Sequence, residues 1–407
     1  MAKVTRRDFF KFSALASASM MIPSFIKPLQ AKEIIDKFTA SGAKKLVIVQ
    51  LSGGNDGLNT VIPFKNDIYY SSRNSIAIKE KDVLKITDEL GFNPAMPKFK
   101  SLYESGYLSI INNVGYPNPD RSHFRSMDIW QSASDSDKYT TSGWIGRYLD
   151  SECADCKNPY NAIEVSDSLS LALKGEKYNG IAVENPERFF MSTSEKYFGD
   201  VADANKNKHH AENDENVAYL YKTIVEATSS AEYVYKTSKI YKSKLEYPKG
   251  QFASNLKTIA ELIVSGINTQ VFYVSLGGFD THINQTGKQE NLLEQLSEGL
   301  YSFTEDLKGN DKLNDVFIMT FSEFGRRVKQ NASGGTDHGT ANNIFVINGN
   351  LKKPGFYNAA PDLTNLDNGD LKYEIDFRNI YAEILNKWLN VNDKKILGGS
   401  FGKMDLI

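Results

Sequence analysis

The sequence contains few cysteines and no excess of charge of either sign. Among 407 residues there are only two cysteines, Cys153 and Cys156, which excludes a zinc site built from four cysteines. The 48 lysines and arginines are balanced by 50 aspartates and glutamates, so no overall positive field attracts nucleic acid, and we expect no nucleic-acid partner. The hydrophobic content of 41% is enough for a large core and excludes a disordered or fibrous chain.

The N-terminal apolar segment is too short to span a membrane. It covers fifteen residues, Phe12 to Ile26, and contains Pro23, whereas a spanning helix needs roughly 20 apolar residues. It follows the sequence TRRDFFK at residues 5–11, the pattern of a twin-arginine export signal. We predict that residues 1–31 are a cleaved signal peptide, that the twin-arginine translocase exports the folded chain to the periplasm or beyond, and that no transmembrane anchor remains. A surface helix that happens to contain two arginines is the alternative.

The two cysteines form a CxxC pair, Cys153-Ala-Asp-Cys156. In an oxidising compartment such a pair most simply forms a local disulfide. No thioredoxin-like strand precedes it, so we interpret the pair as structural and not as a redox site.

Apolar runs and helical periods alternate along the chain. Five runs are apolar on both faces, which is typical of central parallel strands: residues 46–51, 108–111, 271–276, 316–321 and 344–347. Helical spacing of apolar residues is found over 252–267, 289–307 and 377–389. The pattern predicts one α/β domain over residues 32–407, with a mostly parallel central sheet between helices. The charged, tyrosine-rich stretch 209–247 is predicted to be a helical insertion.

Chemically active side chains lie where the predicted strands end. The first strand is followed by Asn55 and Asp56 behind two glycines, which allow a sharp turn. Similar loops contain Asp280 and His282, Glu323, Asp337 and His338, and Arg121, Ser122, His123 and Arg125. Ligands are expected at such strand ends in α/β sheets.

Three of the five histidines, His123, His282 and His338, lie in these loops beside an Asp or a Ser. Imidazole with carboxylate is the ligand set of zinc, manganese or iron, and two such sets would hold two divalent ions. Each Asp and His pair could instead form a capped turn or a surface ion pair. The other two histidines, His209 and His210, lie in a charged segment that we interpret as solvated.

Ser122 is a candidate nucleophile. A nearby metal would lower the pKa of its hydroxyl, and Arg121 or Arg125 would hold the oxygens of an anionic substrate. The alternative is that Ser122 only caps a helix. A serine-protease triad is not favoured because the chain has no G-x-S-x-G motif.

Seven segments together resemble a known bacterial family. They are LSGGNDGLNTVIPF, GYPNPDRSHFRSMDIW, TSGWIGRYL, GGFDTHINQ, MTFSEFGRRVKQN, GTDHGTAN and IDFRNIYAEILNKWL, in that order between about Lys45 and Leu389. The chain is similar to the family called domain of unknown function 1501, which is grouped with the alkaline phosphatase and sulfatase superfamily. This resemblance implies a three-layer α/β/α sandwich with a two-metal site.

The resemblance also implies roles for individual residues. In the order of the superfamily, Asp56, Ser122, the pair Asp280 and His282, and the pair Asp337 and His338 correspond to the ligands and the nucleophile. Two positions differ: Asp280 and His282 are two residues apart where the superfamily has four, and no histidine follows His338 to supply the last ligand. His123, Glu323 or Asp376 would have to replace it.

Two functions are consistent with the sequence. The first is an exported hydrolase of phosphate or sulfate esters with two divalent metal ions and a small anionic substrate. The second is a non-catalytic envelope protein that uses a degenerate form of the same fold for binding or assembly.

Overall fold

The computed structural model describes residues 44–152, 159–193 and 215–407. The predicted signal peptide, the Cys153 and Cys156 pair and the His209 and His210 pair lie outside these residues. Residues Lys45–Ile407 form one compact unit. None of the described helices is both long and apolar enough to cross a bilayer.

The described part of the chain alternates between strands and helices. Its strands are β1 (Lys45–Ser52), β2 (Val61–Ile62), β3 (Leu84–Lys85), β4 (Gly91–Phe92), β5 (Leu108–Gly115), β6 (Ala162–Glu164), β7 (Ile181–Ala182), β8 (Val271–Gly277), β9 (Val316–Phe321), β10 (Asn342–Ile347), β11 (Gly355–Phe356), β12 (Leu366–Asp367), β13 (Asp370–Leu371) and β14 (Ile375–Asp376). Its α-helices are α1 (Asp67–Ser72), α2 (Pro97–Glu104), α3 (His123–Ser132), α4 (Trp144–Glu152), α5 (Pro186–Thr193), α6 (Glu215–Ser238), α7 (Gln251–Val264), α8 (Gln285–Gly309), α9 (Phe377–Glu383) and α10 (Asp393–Leu397). A π-helical turn, Ile384–Trp388, continues α9.

The central sheet has the strand order β11-β5-β10-β9-β1-β8-β6-β7, and β14 also pairs with β5. All pairings are parallel except those of β10, which runs antiparallel to both β5 and β9. The prediction of a mostly parallel sheet is confirmed. The run at 344–347 was expected to be a parallel strand, and that was wrong, because periodicity reports burial on both faces but not strand direction.

Helices cover both faces of this sheet. In β1, Val47, Val49 and Leu51 pack in one apolar cluster with α2, α7 and α8. Leu46 and Ile48 point to the opposite face and pack with α3, α4, α9 and α10. Side chains alternate across a strand, so a strand covered on both sides reads as a continuous apolar run. The result is the predicted three-layer α/β/α arrangement.

The segment predicted to be a helical insertion contains α6. This helix contacts α5 and α7, and its Val234 belongs to the same apolar cluster as the buried residues of α7.

Candidate metal centre

Five loops meet at one edge of the sheet. Strands β1, β8 and β9 are mutually parallel where they pair, so the loops that follow them lie at the same edge. Because β10 is antiparallel, it begins at this edge, and β5 ends there. The reversed strand therefore explains how the loop before β10, with Asp337 and His338, joins loops that follow the other strands.

The Nε2 atoms of three histidines converge on the carboxylate of Asp280. The Oδ1 atom of Asp280 lies 3.1 Å from His282 Nε2 and 3.3 Å from His338 Nε2, and its Oδ2 lies 3.5 Å from His123 Nε2. The two nitrogens of His282 and His338 are 2.9 Å apart. Ligand atoms bound tetrahedrally to zinc at its usual bond lengths are separated by about 3.3 Å. The separations therefore match the coordination shell of a small cation.

The other nitrogen of each ring has its own acceptor. The Nδ1 atom of His123 lies 2.9 Å from Glu323 Oε1, that of His282 lies 3.2 Å from Asp337 Oδ1, and that of His338 lies 2.7 Å from the carbonyl oxygen of Arg121. A carbonyl oxygen and an ionised carboxylate can accept a hydrogen bond but cannot donate one. In a neutral ring beside such a partner, Nδ1 therefore donates and Nε2 keeps its lone pair. Metal-binding histidines show this arrangement.

The donor set fits a divalent metal ion. Two lone pairs 2.9 Å apart repel each other unless a cation or a proton lies between them. Among the residues that the structure describes, His123, Asp280 and His338 are the one group of three or more such side chains whose ligand atoms all lie within 4.8 Å of one another. His282 adds a fourth ligand through the distances given above. Neutral imidazole with carboxylate suits zinc, manganese or iron.

The pKa shifts of Asp280, His338 and Asp337 favour the protonation states that bind a metal. Partial burial by itself would raise the pKa of Asp280, but the hydrogen bond and charge of Arg326, with smaller effects of His338 and His282, lower it to about 2. Burial lowers the pKa of His338, and the charge of Arg326 adds to this. The hydrogen bond from Asn331 and the neighbouring His282 lower the pKa of Asp337. At neutral pH these two carboxylates are ionised and the His338 ring is uncharged.

Arg326 joins the loops that carry the site. Its side chain is completely buried and donates to the carbonyl oxygens of Gly53, Gly54, Phe279 and Thr336. It also donates to Asp280 Oδ1 at 2.7 Å. One guanidinium thus fixes three loops and orients the shared carboxylate.

Asp56, predicted to be a metal ligand, lies in a different environment. Its Oδ2 is 2.6 Å from Arg73 Nη1 in an ion pair with no exposure of either side chain, and it accepts a second hydrogen bond from Gln285. The loops therefore bring the histidines to Asp280, while Asp56 is paired with a buried arginine and is not part of this group. Asp376 also lies elsewhere, because it caps α9 and pairs with Arg378.

The predicted nucleophile directly precedes His123 in the chain. Ser122 is exposed and occupies the N-cap position of α3 without a side-chain capping bond. It is preceded by Arg121, whose carbonyl binds His338, and followed by His123. The Arg121 side chain is partly exposed and pairs with the buried Asp370.

Arg125 does not face this site. Its buried guanidinium donates to the carbonyl oxygens of Asp135, Ser136 and Lys138 and lies over the ring of Tyr139. These contacts fix the loop that contains residues 135–138.

The sequence matches one family of proteins over nearly its whole described length. Residues 43–403 match the family described as "Protein of unknown function (DUF1501)". The chain belongs to the DUF1501 family. The resemblance predicted from the sequence is thereby confirmed, and the five loops of the candidate metal centre are all within the matched region. A search of curated proteins gives no match for this DUF1501 chain.

Several solved structures are similar to this chain at low identity. The lipoteichoic acid synthase LtaP from Listeria monocytogenes is 12% identical with a TM-score of 0.36, over 78% of this chain and 68% of that one. A protein in the alkaline phosphatase superfamily from Vibrio parahaemolyticus is 8% identical with a TM-score of 0.41, over 89% and 71%. The PsFucS1 sulfatase from Pseudoalteromonas sp. is 11% identical with a TM-score of 0.37, over 93% and 78%. Likenesses this distant carry no information on the activity of the DUF1501 chain.

Sequence reasoning assigned no role to three residues that the structure places around the site. Arg326 and Arg327 follow Glu323 closely, and two adjacent arginines in a ligand-bearing loop are a signal that could have indicated the role of Arg326 in joining the loops. Arg73 has no such signal, because it comes just after a short helix and contacts Asp56 only in the fold.

Proposed function

We propose that the protein is an exported, metal-dependent hydrolase of phosphate or sulfate esters. The observation that carries the proposal is the convergence of three histidine Nε2 atoms on the Asp280 carboxylate at a partly exposed site. Imidazole nitrogens and a carboxylate that lie within coordination distance of one another are the usual ligand set of a divalent metal ion. A divalent cation held by His123, Asp280, His282 and His338 would polarise an ester oxygen and favour ionisation of a nearby hydroxyl.

The surroundings of the site suit an anionic substrate. Ser122 stands at the N-terminus of the ten-residue helix α3, whose first N–H groups have no helical partners and favour negative charge. The guanidinium groups of Arg121 and Arg327 are each about two-fifths exposed and share the buried Asp370, so together they keep one net positive charge. Arginine pairs well with the oxygens of phosphate and sulfate. In this proposal a bond forms from the Ser122 oxygen to the phosphorus or sulfur centre as the bond to the ester oxygen breaks, and the departing alcohol takes up a proton. Water then hydrolyses the serine ester, which releases phosphate or sulfate and restores Ser122.

The experiment is a hydrolysis assay on a panel of phosphate and sulfate esters. The protein is purified with zinc, manganese and iron supplied in separate preparations, and its bound metal is measured. We expect hydrolysis of at least one ester and its loss in Ser122→Ala and Asp280→Asn, with normal activity in the control Asp88→Asn, which alters an exposed turn between β3 and β4. Metal-loaded protein with no activity on the whole panel would contradict the proposal.

A non-catalytic role in the cell envelope is the second candidate. It is favoured by the pairing of Asp56 with Arg73, which leaves the implied two-metal site incomplete. In that case the wild-type protein would hydrolyse no ester, and Ser122→Ala would change neither the amount of bound metal nor the free energy of unfolding.

Export is proposed on the twin-arginine pattern of residues 5–11. Replacement of both Arg6 and Arg7 by lysine should keep the protein in the cytoplasm. Fractionation of cells that express the two forms tests this, with a cytoplasmic marker as control.

A further inference from the structure

We propose that the site holds a single divalent cation and that the guanidinium of Arg73 takes the place of a second cation beside Asp56. This inference rests on the metal centre of the proposed function but not on hydrolysis. It differs from the resemblance to the alkaline phosphatase and sulfatase superfamily, which implies two ions.

The first step concerns the charge at Asp56. Arg73 is completely buried, and its three nitrogens have partners: Asp56 Oδ2 at 2.6 Å, Asn59 Oδ1 at 3.0 Å, and the carbonyl oxygens of Val328 and Arg327, each at 2.9 Å. A guanidinium with partners on all three nitrogens has no free position to move to, and it already neutralises the carboxylate. A divalent cation on the same carboxylate would be strongly repelled by this fixed positive charge.

The second step concerns the other carboxylates that could complete a second site. Glu323 Oε1 accepts hydrogen bonds from His123 Nδ1 and from the backbone N–H of Gly53. Asp337 Oδ1 faces His282 Nδ1 and accepts from Asn331. Both carboxylates orient histidines that face Asp280. Within the described residues, no second group of three metal-binding side chains is therefore left for Asp56 to join.

One oxygen atom of Asp56 remains available to a cation. Its Oδ1 is buried and has no hydrogen-bond partner among the described residues. A second ion held by Asp56 would have to bind this oxygen, because Oδ2 already accepts from Arg73 and Gln285. The proposal is therefore decided by whether Asp56 contributes to metal binding.

The test counts bound ions in the full chain. Protein freed of metal with a chelator is titrated with Zn²⁺ and with Mn²⁺ by calorimetry, and bound metal is measured after dialysis by elemental analysis. We expect one equivalent in the wild type, none in Asp280→Asn, and one in the matched control Asp88→Asn. We also expect one equivalent in the double variant Asp56→Asn, Arg73→Gln, which removes both buried charges, with an affinity within about threefold of the wild type.

Because the double variant could fail to fold, anomalous diffraction from metal-loaded wild-type crystals supplies an independent measurement. A single peak between Asp280 and the histidines supports the proposal, and a second peak beside Asp56 overturns it. Two equivalents in solution, one of them lost in the double variant, also overturn it.

The outcomes separate this inference from the proposed function. One equivalent without ester hydrolysis supports the single ion and contradicts the hydrolase. Two equivalents together with ester hydrolysis contradict the single ion and support the hydrolase. No bound metal in the wild type overturns both.

Discussion

Each histidine of the candidate metal centre has a hydrogen-bond partner at its Nδ1 atom that helps to orient the ring. Glu323, Asp337 and the carbonyl of Arg121 are each attached to a different loop, and each fixes one ring. Such outer partners usually change metal affinity by 10- to 100-fold when removed. Substitution of a metal ligand should therefore abolish metal binding, whereas substitution of its outer hydrogen-bond partner should only weaken it.

Glu323→Gln should weaken metal binding by about 10- to 100-fold without abolishing it, because the neutral amide holds the His123 ring less firmly. Calorimetric titration with Zn²⁺ measures the affinity. The matched control is Glu89→Gln, which alters an exposed glutamate and should leave the affinity unchanged. An unchanged affinity in Glu323→Gln would show that the contact with His123 is not used to position it.

Arg326 is the residue with the largest expected effect on stability. Arg326→Met leaves four carbonyl oxygens and the Asp280 carboxylate without their donor, and loss of one partner of a buried ion pair costs about 3 to 5 kcal/mol. Asp280 is about half exposed, so we expect a loss near the lower end, about 3 kcal/mol. Urea unfolding of metal-free protein measures it. Arg188→Met, at an exposed arginine of α5, should change the free energy of unfolding by less than about 0.5 kcal/mol.

At the scale of elements, the site depends on how closely the loops approach one another. Gly53 has a φ of +118°, and a Cβ atom there would lie 2.4 Å from the backbone nitrogen of Asp280. The loops after β1 and β8 are in contact at this point, and only glycine allows it. The position of Asp280 is thus set in part by a residue with no side chain.

Gly53→Ala should destabilise the fold by about 2 kcal/mol or more and also weaken metal binding, because the Asp280 loop must move. The control is Gly106→Ala, which also has a positive φ, +74°, but has open space around it. That variant should cost about 1 kcal/mol from backbone strain alone and leave metal affinity unchanged. Equal effects of both variants on metal binding would contradict the role of close loop packing.

At the scale of the whole molecule, burying the sheet on both faces places a few charges in the interior. Lys45 begins β1 and donates from Nζ to the carbonyl oxygen of Ile267 at 2.7 Å. Burial, with a smaller effect of the nearby Lys312, lowers the pKa of Lys45 to about 8. A lysine in an unfolded chain has a pKa of about 10.4.

The stability contributed by Lys45 should therefore rise with pH. Between about pH 8 and 10.4 the unfolded chain binds more protons at this residue than the folded one, so the penalty for a buried ammonium is constant below pH 8 and decreases above it. Lys45→Met removes the penalty, and the stability of wild type relative to this variant should increase from pH 7 to pH 10, by on the order of 3 kcal/mol over the full window. Urea unfolding at each pH measures the difference. Lys79→Met, at an exposed lysine, is the control, and a difference for Lys45→Met that does not vary with pH would refute the prediction.

The sequence by itself determined the α/β class, the strands at residues 46–51, 108–111, 271–276, 316–321 and 344–347, and the loops that carry His123, Asp280, His282 and His338. These features follow from local periodicity and from residue type at strand ends, which neighbours along the chain specify. The helices agree within a few residues: 252–267 is observed as Gln251–Val264.

The tertiary structure alone decided which of the candidate ligands meet. Asp56, Asp280 and Glu323 look alike in sequence, since each is an acid in a loop after a strand. In the fold Asp56 binds Arg73, Glu323 orients His123, and Asp280 faces the three imidazoles. Contacts between loops far apart in sequence depend on strand order and direction, above all on the reversed β10, and no local pattern specifies these.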